Sequence, residues 1–201
     1  MQILCDEKLK EIFSNIPTIE TERLILRKIT PSDSDDMYEY SSRDEVTKYL
    51  TWNIHTGPKQ TAAYIRLLQK KYLQGVFWDF GLEYKENGKF IGTCGFSSFD
   101  KDKNCAEIGY VLSPEYRGRE LAKEACLAVM NFGFSTFDLD KIFARFIEGN
   151  TPSERVMQKL NMKHEATYKN SFFIKNSYKT VVEYSISKED FYKSFQQKGK
   201  I

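Results

Sequence analysis

Apolar positions along the chain follow two spacings, and the switches between them mark out its elements. Residues 6–15 put Leu9, Ile12 and Phe13 on one side of a short helix that has to stop before Pro17. Residues 18–29 change to strand alternation, with Ile19, Leu24 and Leu26 set against Arg23 and Arg27. Thr30-Pro-Ser-Asp33 reads as a helix start: Thr30 caps, Pro31 sits in the first turn, Asp33 reaches back, and helix continues to about residue 41. Residues 47–55 read as a short helix or loop presenting Leu50 and Trp52, and Gly57-Pro58 opens a further helix to about residue 73.

The middle of the chain is a meander. Residues 76–84 form a strand, Glu86-Asn87-Gly88-Lys89 carries the Asn-Gly hairpin signal, and residues 90–99 form the paired strand. A second polar turn, Asp100 to Asn104, leads to a strand over residues 105–112. A long helix from about residue 118 to 135 is apolar through Leu121, Ala125, Val129 and Phe132. Strand 141–147, helix 151–160 and strands 163–174 and 178–186 follow, and Ser187-Lys-Glu-Asp190 caps a last short helix. This order predicts an α+β domain, a mixed, mostly antiparallel sheet of about seven strands flanked by helices. No repeat, low-complexity tract or Gly/Ser linker interrupts it. Residues 1–201 therefore read as one domain, with residues 1–16 as a helical N-terminal extension.

Charge narrows the partners. Thirty Lys and Arg against 28 Asp and Glu leave a formal charge of +2, which argues against nucleic acid or an anionic membrane as main partner. Cys5, Cys94, Cys105 and Cys126 show no C-x-x-C spacing, and His55 and His164 lie far apart. Neither a metal site nor a disulfide framework is expected, and the thiols read as scattered and partly buried. The first residues turn charged too soon for a signal-peptide core, and no apolar run is long enough to span a bilayer. The expected compartment is the cytoplasm. Both a monomer and a homodimer are compatible with the sequence.

The stretch carrying chemistry is Ile108-Gly-Tyr-Val-Leu-Ser-Pro-Glu-Tyr-Arg-Gly-Arg-Glu-Leu-Ala-Lys-Glu-Ala125. A strand ends at Leu112, and a basic, glycine-containing turn leads directly into a helix. The first amides of a helix have no internal partner and carry positive partial charge, so they attract anions. Gly118 lets the backbone approach a phosphate, Arg117 and Arg119 add charge, and Lys123 lies one turn further on. A diphosphate-bearing ligand fits this chemistry. A helix merely entered by a basic loop, with Glu120 and Lys123 as solvated charges, fits it as well.

Arg117-Gly-Arg-Glu-Leu-Ala122 resembles the Q/R-x-x-G-x-G/A pyrophosphate loop of the GNAT N-acetyltransferase superfamily, in particular its RimJ/RimL branch, which acetylates α-amino groups of ribosomal proteins. Five other segments are similar to that branch in the right order: Thr21-Glu-Arg-Leu-Ile-Leu-Arg27 and Val46-Thr-Lys-Tyr-Leu-Thr-Trp52, then Phe90-Ile-Gly-Thr-Cys-Gly95 with Ala106-Glu-Ile-Gly-Tyr-Val-Leu-Ser-Pro114, and finally Asn150 to Met162. The resemblance implies a GNAT fold and a cytosolic enzyme that moves an acetyl group from acetyl-CoA to a primary amine, without a metal. The acceptor would be a protein N-terminus, such as that of a ribosomal protein, or a small-molecule amine. A catalytically weak CoA-binding regulatory module is the alternative.

By the same resemblance, a splayed fourth strand would offer backbone groups of Tyr110, Val111 and Leu112 to the pantetheine. Arg117, Gly118, Arg119, Glu120, Leu121, Ala122 and Lys123 would form the loop, with Asn150, Ser153 and Arg155 contributing from the next helix. Two positions depart from the family pattern. Glu120 stands where the family has glycine; a carboxylate about 7 Å from the pyrophosphate would cost about 2 kcal/mol at an effective dielectric near 20, so weakened cofactor binding is expected. Asn161 replaces another glycine, and asparagine also tolerates the left-handed conformation at a helix end.

Acetyl transfer to an amine needs a neutral nucleophile, a stabilised oxyanion and a proton for the departing thiolate. Glu107 is the candidate base, through water; a strand carboxylate paired with a neighbouring Lys or Arg explains it equally simply. Ser153 is the candidate proton donor. Thr151-Pro-Ser-Glu154 reads as a capping box that accounts for its other members and leaves Ser153 and Asn150 free. Trp52, Phe80 and Phe96 are candidates for lining the acceptor slot, with core packing as the plainer explanation of aromatic strand residues. The closing hairpin, residues 168–178, could form the opposite wall.

Overall fold

The computed structural model describes residues 6–195. Its elements are α1 (Asp6–Ser14), β1 (Ile19–Glu20), β2 (Leu24–Arg27), α2 (Ser34–Ser41), α3 (Asp44–Thr47), α4 (Pro58–Leu73), β3 (Trp78–Tyr84), β4 (Lys89–Asp100), β5 (Cys105–Leu112), α5 (Leu121–Phe137), β6 (Lys141–Ile147), α6 (Thr151–Lys159), β7 (Lys163–Ile174), β8 (Ser177–Ser187) and α7 (Lys188–Phe195). The strands form one sheet in the order β1-β2-β3-β4-β5-β6-β8-β7. It has eight strands, one more than expected, because the first predicted strand breaks in two. Thr21 turns the chain back on itself: its N–H donates to the Leu24 carbonyl at 3.0 Å and its hydroxyl accepts the Leu24 N–H at 3.0 Å.

Strand alternation divides the core into two layers. On one face Leu24, Leu26, Phe80, Leu82, Cys94, Phe96 and Ile108 pack against α5, with Leu9 and Phe13 of α1 and Phe191 and Phe195 of α7. On the other, Phe90 and Ile29 meet Met37 and Tyr40 of α2 and Ile65, Leu68 and Tyr72 of α4. Several helices are bounded by local chemistry. The Asp33 carboxylate reaches back to the Thr30 N–H at 2.7 Å as expected, opening a 3-10 turn, Pro31–Asp33, ahead of α2. Pro58 begins α4 behind Gly57. Asn161 sits at φ +57° just past α6, and the Ser187 hydroxyl accepts the Asp190 N–H at the start of α7.

The cap of α6 differs from expectation. Asn150 holds that position, its side chain accepting the Ser153 N–H at 3.4 Å, while Thr151 lies in the first turn, exposed. Glu154 does not reach back; its carboxylate accepts from the Tyr184 hydroxyl at 3.2 Å. Asn150 therefore already has a structural task. Cys94, Cys105 and Cys126 are buried and unbridged; Cys5 lies outside the described residues. Among the described residues no helix is long and apolar enough to cross a membrane.

The feature that shapes the site is the parallel junction between β5 and β6. These strands pair only through Cys105–Lys141, Ala106–Ile142 and Glu107–Phe143. Beyond Glu107, β5 stays with β4 up to Leu112, while β6 stays with β8 up to Ile147. The two strands diverge into a V, and residues 108–112 have no ladder partner on their β6 side.

Candidate active site

A cleft of about 450 Å³ opens at the mouth of this V. Tyr110, Val111 and Leu112 form one wall, the turn and first residues of α5 (Arg117, Gly118, Glu120, Leu121, Ala122, Lys123) its floor, and Asn150, Ser153 and Arg155 the wall from α6. These are residues that the family resemblance assigned to cofactor binding, brought together from two separate stretches of the chain, 110–123 and 150–155. Gly118 at φ +77° and Glu120 at φ +62° coil the turn tightly, a geometry in which successive backbone amides converge on an anion. A Cβ at Gly118 would meet nothing within 4 Å, so the loop surface there is open to a ligand.

Arg119 departs from its assigned place. It does not line the cleft; its guanidinium stacks 5.3 Å from the Tyr116 ring, and its carbonyl accepts from Arg23 at 2.9 Å. That bond belongs to a clamp not anticipated from sequence. The Glu124 carboxylate on α5 accepts from the Thr21 hydroxyl (2.6 Å), the Arg23 N–H (2.8 Å) and the Arg23 guanidinium (2.8 Å). Burial alone would raise the Glu124 carboxyl, but these donors hold it below the usual carboxylate range. The Thr21-Glu-Arg segment thus anchors the start of α5, and with it the turn that faces the cleft.

Glu120 occupies the glycine position at the N-terminal end of α5. Its carboxylate is engaged by Lys159, and Lys123 stands 3.8 Å away. The Lys159 contact, followed by the two lysine charges and Arg23, keeps its pKa low. The repulsion expected from sequence is therefore offset locally by two ammonium groups. Lys159 also lines the cleft. Sequence reasoning missed it, although it lies four residues after Arg155 and so shares a helix face with it. Tyr49 and Leu50, after α3, close the cleft from above; nothing in their local pattern signals this.

The catalytic candidates separate. Ser153 stands beside the phenol of Tyr110, and this contact partly offsets the burial that pushes the Tyr110 hydroxyl up. Glu107 is not in the cleft. Strand alternation turns it away from Tyr110 and α5, to the side of β5 it shares with Gly109 and Val111, where the Ser98 hydroxyl lies 3.3 Å and the Arg145 guanidinium 3.8 Å away. Arg145 in turn bonds Glu183 at 2.7 Å. Glu107 is thus a strand carboxylate with a paired cation.

Two of the three aromatic candidates for the acceptor slot belong to the core. Phe80 and Phe96 are 0% and 2% exposed, because alternation points them at α5. There Phe80 meets Phe132 at 5.6 Å and Phe96 meets Phe137 at 6.4 Å. Trp52 is different: half-buried beside α4, it lies 5.6 Å from the His55 ring. The tip of the closing hairpin does cross toward this region, the Lys175 ammonium donating to the Thr47 carbonyl at 2.7 Å.

Residues 23–163 match the family described as Acetyltransferase (GNAT) domain. An uncharacterized N-acetyltransferase, p20 of Bacillus licheniformis, is 33% identical over 174 residues, 87% of this chain and 98% of that protein. A GNAT-family acetyltransferase structure from Bacillus anthracis superposes with a TM-score of 0.76 at 28% identity, covering 86% of this chain and 99% of that one. RimL, described as a ribosomal L7/L12 alpha-N-protein acetyltransferase and solved with coenzyme A, shares the fold with a TM-score of 0.72 at 16% identity, covering 85% of this chain and 98% of its own. A diverging β5/β6 pair, a basic turn opening α5 and a family match spanning both lead to one assignment: the chain belongs to the GNAT family of acetyltransferases.

Proposed function

We propose that this acetyltransferase moves the acetyl group of acetyl-CoA to a primary amine, the N-terminal α-amino group of a protein such as a ribosomal protein. The observation that carries the reading is the V between β5 and β6 with the basic turn at its mouth. Free backbone groups of residues 108–112 can bind an extended amide chain as an added strand would, and the α5 amides with Arg117, Lys123, Arg155 and Lys159 can take its phosphates. Acetyl-CoA supplies the activated acyl group. Tyr110 and Ser153, side by side on the cleft wall, are placed to give a proton to the departing thiolate. The ribosomal acceptor is supported by the names of relatives such as RimL. A slender acceptor is supported by the Lys175–Thr47 contact, which bridges the region from the hairpin tip to α3.

Saturating acetyl-CoA is expected to raise the melting temperature, since a ligand at about 100 times its Kd adds about 2.7 kcal/mol. Thiol release with N-terminal peptides should then exceed that with spermidine or an aminoglycoside. An absent thermal shift would sink the cofactor reading, and preference for a small amine would sink the protein-N-terminus reading.

Glu120 separates backbone strain from charge. Glu120→Gly should relieve a left-handed residue, a gain of about 1 kcal/mol that at least offsets the loss of an exposed ion pair worth up to about 1 kcal/mol. The apo melting temperature should hold or rise slightly. It should also free Lys159 for a phosphate and tighten acetyl-CoA by about threefold to tenfold. Glu120→Gln keeps the strain and loses the ion pair, so affinity should rise while the apo melting temperature holds or falls slightly. Calorimetric titration of both variants checks this; unchanged affinity in both would show that the carboxylate does not oppose the phosphates.

A further inference from the structure

The sheet face turned toward α2 and α4 is nearly bare at one place. Asp79, Gly95 and Gly109 lie opposite one another on β3, β4 and β5. A Cβ at Gly95 would meet the Trp78 carbonyl oxygen at 2.3 Å and the Asp79 Cα and Oδ1 at 2.4 Å, so β3 lies close against Gly95 and the Asp79 carboxylate rests on β4 where only a glycine leaves it room. A Cβ at Gly109 would meet nothing within 4 Å. Two strand spacings, about 10 Å, separate the backbones of Asp79 and Gly109, and the carboxylate resting on β4 closes part of that gap. The open space over Gly109 is two residues from Glu107, where β5 parts from β6. It therefore lies where the V can be reached from the face opposite α5.

The surroundings of Asp79 lack something. Among the described residues no hydrogen bond or ion pair reaches its carboxylate; burial is what acts on it. Its main chain is fixed, the Tyr72 hydroxyl donating to its carbonyl at 2.7 Å. The titratable groups that feel it are Tyr40 from α2, Tyr64 and Tyr72 from α4 and the Cys94 thiol from β4, with no cation among them. Trp52, His55 and Tyr64 follow one another ring to ring at 5.6 and 5.7 Å, a path from the α3 loop to Tyr64. Burial pushes His55 down, so it adds no charge near neutral pH. A desolvated carboxylate that feels phenols and a thiol but no cation is costly when ionised alone and favourable once a cation completes it. An alkylammonium suits both parts, the carboxylate taking its charge and the ring faces its methylenes and cation–π contact.

Resting on the acetyltransferase reading above, we propose that Asp79 is the acceptor-binding catalytic residue: it holds the substrate's primary ammonium over the Gly95–Gly109 floor and takes the proton that frees the nitrogen to attack. The proton passes from nitrogen to the Asp79 carboxylate, and the nitrogen lone pair forms the bond to the acyl carbon. The carbon–sulfur bond breaks toward sulfur and the thiolate takes a proton on the Tyr110–Ser153 side; the second proton of the adduct nitrogen makes good that donor as the neutral amide forms, and Asp79 returns its own proton to solvent. Burial pushes the Asp79 carboxyl up to about 7, far closer to an alkylammonium than an ordinary carboxylate, which eases the transfer. Glu107, by contrast, already has a cation beside it, the Arg145 guanidinium at 3.8 Å.

The test compares Asp79→Asn and Glu107→Gln with the wild type. In Asp79→Asn the acetyl-CoA thermal shift should be unchanged, kcat/KM for the amine should fall by about 100-fold, and the acidic limb of its pH profile near pH 7 should disappear. Glu107→Gln should keep that limb. Loss of the limb in Glu107→Gln, or its retention in Asp79→Asn, overturns the proposal. A second arm needs no turnover: with CoA present, benzylamine, spermidine and a serine-initiated peptide are compared with benzyl alcohol by thermal shift. At least one amine should stabilise the wild type and none Asp79→Asn, the neutral alcohol stabilising neither. Equal stabilisation of wild type and Asp79→Asn, or none of the wild type, overturns the assignment of Asp79. A missing acetyl-CoA shift instead overturns the acetyltransferase site itself, and the amine arm still decides Asp79.

Discussion

Phe13→Ala is expected to lower the stability of the protein by about 3–4 kcal/mol and its melting temperature by roughly 10 °C. Helix α1 precedes residues 23–163, the segment that defines the family, and could be taken for a dispensable extension. Its packing says otherwise. Phe13 is fully buried, stacked on Phe137 at 5.6 Å and edge-on to Phe132 at 6.3 Å, with Phe99 also at 6.3 Å. Truncating it would leave a void between α1, β4 and α5 that these rings cannot fill by rotating, and the unfilled volume adds to the lost transfer free energy. Phe13→Leu should cost less, about 1–1.5 kcal/mol, and Glu11→Ala on the exposed side no more than about 0.5 kcal/mol. Urea unfolding followed by far-UV circular dichroism reads all three. A loss below about 1 kcal/mol in Phe13→Ala would mean that α1 is not docked on the core.

The second large effect is a dependence of stability on pH. Asp79 titrates near 7 in the folded protein because burial disfavours its charge, and at the ordinary carboxylate value once unfolded. Between about pH 4 and pH 7 the folded state therefore binds more protons at this site than the unfolded state, so this site's contribution falls as pH rises and levels off above 7. Asp79→Asn cannot titrate. Variant and wild type should be nearly equal in stability at pH 4, and the variant should be ahead at pH 8 by about 2–4 kcal/mol, the upper figure corresponding to the whole shift. Partial solvent access to this residue draws the value below that limit. Melting curves of both proteins from pH 4 to pH 8 check the sign and the window. A constant difference across that range would remove the titration argument. The variant should thus gain stability at the pH where it loses activity, as expected where a buried group is kept for function.

How much of this was legible beforehand follows from the range of the forces involved. Periodicity, proline and the Asn-Gly turn located most elements, because alternation and helical repeat are local consequences of one buried side; β5 and β6 were bounded as observed, at Cys105–Leu112 and Lys141–Ile147. Local signals misled where a tertiary partner outbid them. Glu154 prefers the Tyr184 hydroxyl to the helix start, which leaves capping to Asn150. Thr21 breaks the first strand because its hydroxyl also binds Glu124, more than a hundred residues away.

Aromatic residues show the same limit from the other side. Nothing in the letters tells Trp52 from Phe80; only the packing of α5 on one face of the sheet, and α2 with α4 on the other, makes one half-buried and the other core. By itself the sequence determined the element types, the family and the basic turn before α5, since each is written in a contiguous run of residues. The tertiary structure decided which carboxylates are satisfied and which are not. Glu107 gained Arg145 from β6 and Glu120 gained Lys159 from α6, whereas Asp79 was set in register with two glycines and near phenols that bring it no positive charge. Charge and solvation depend on neighbours in space, and those neighbours lie on other strands and helices.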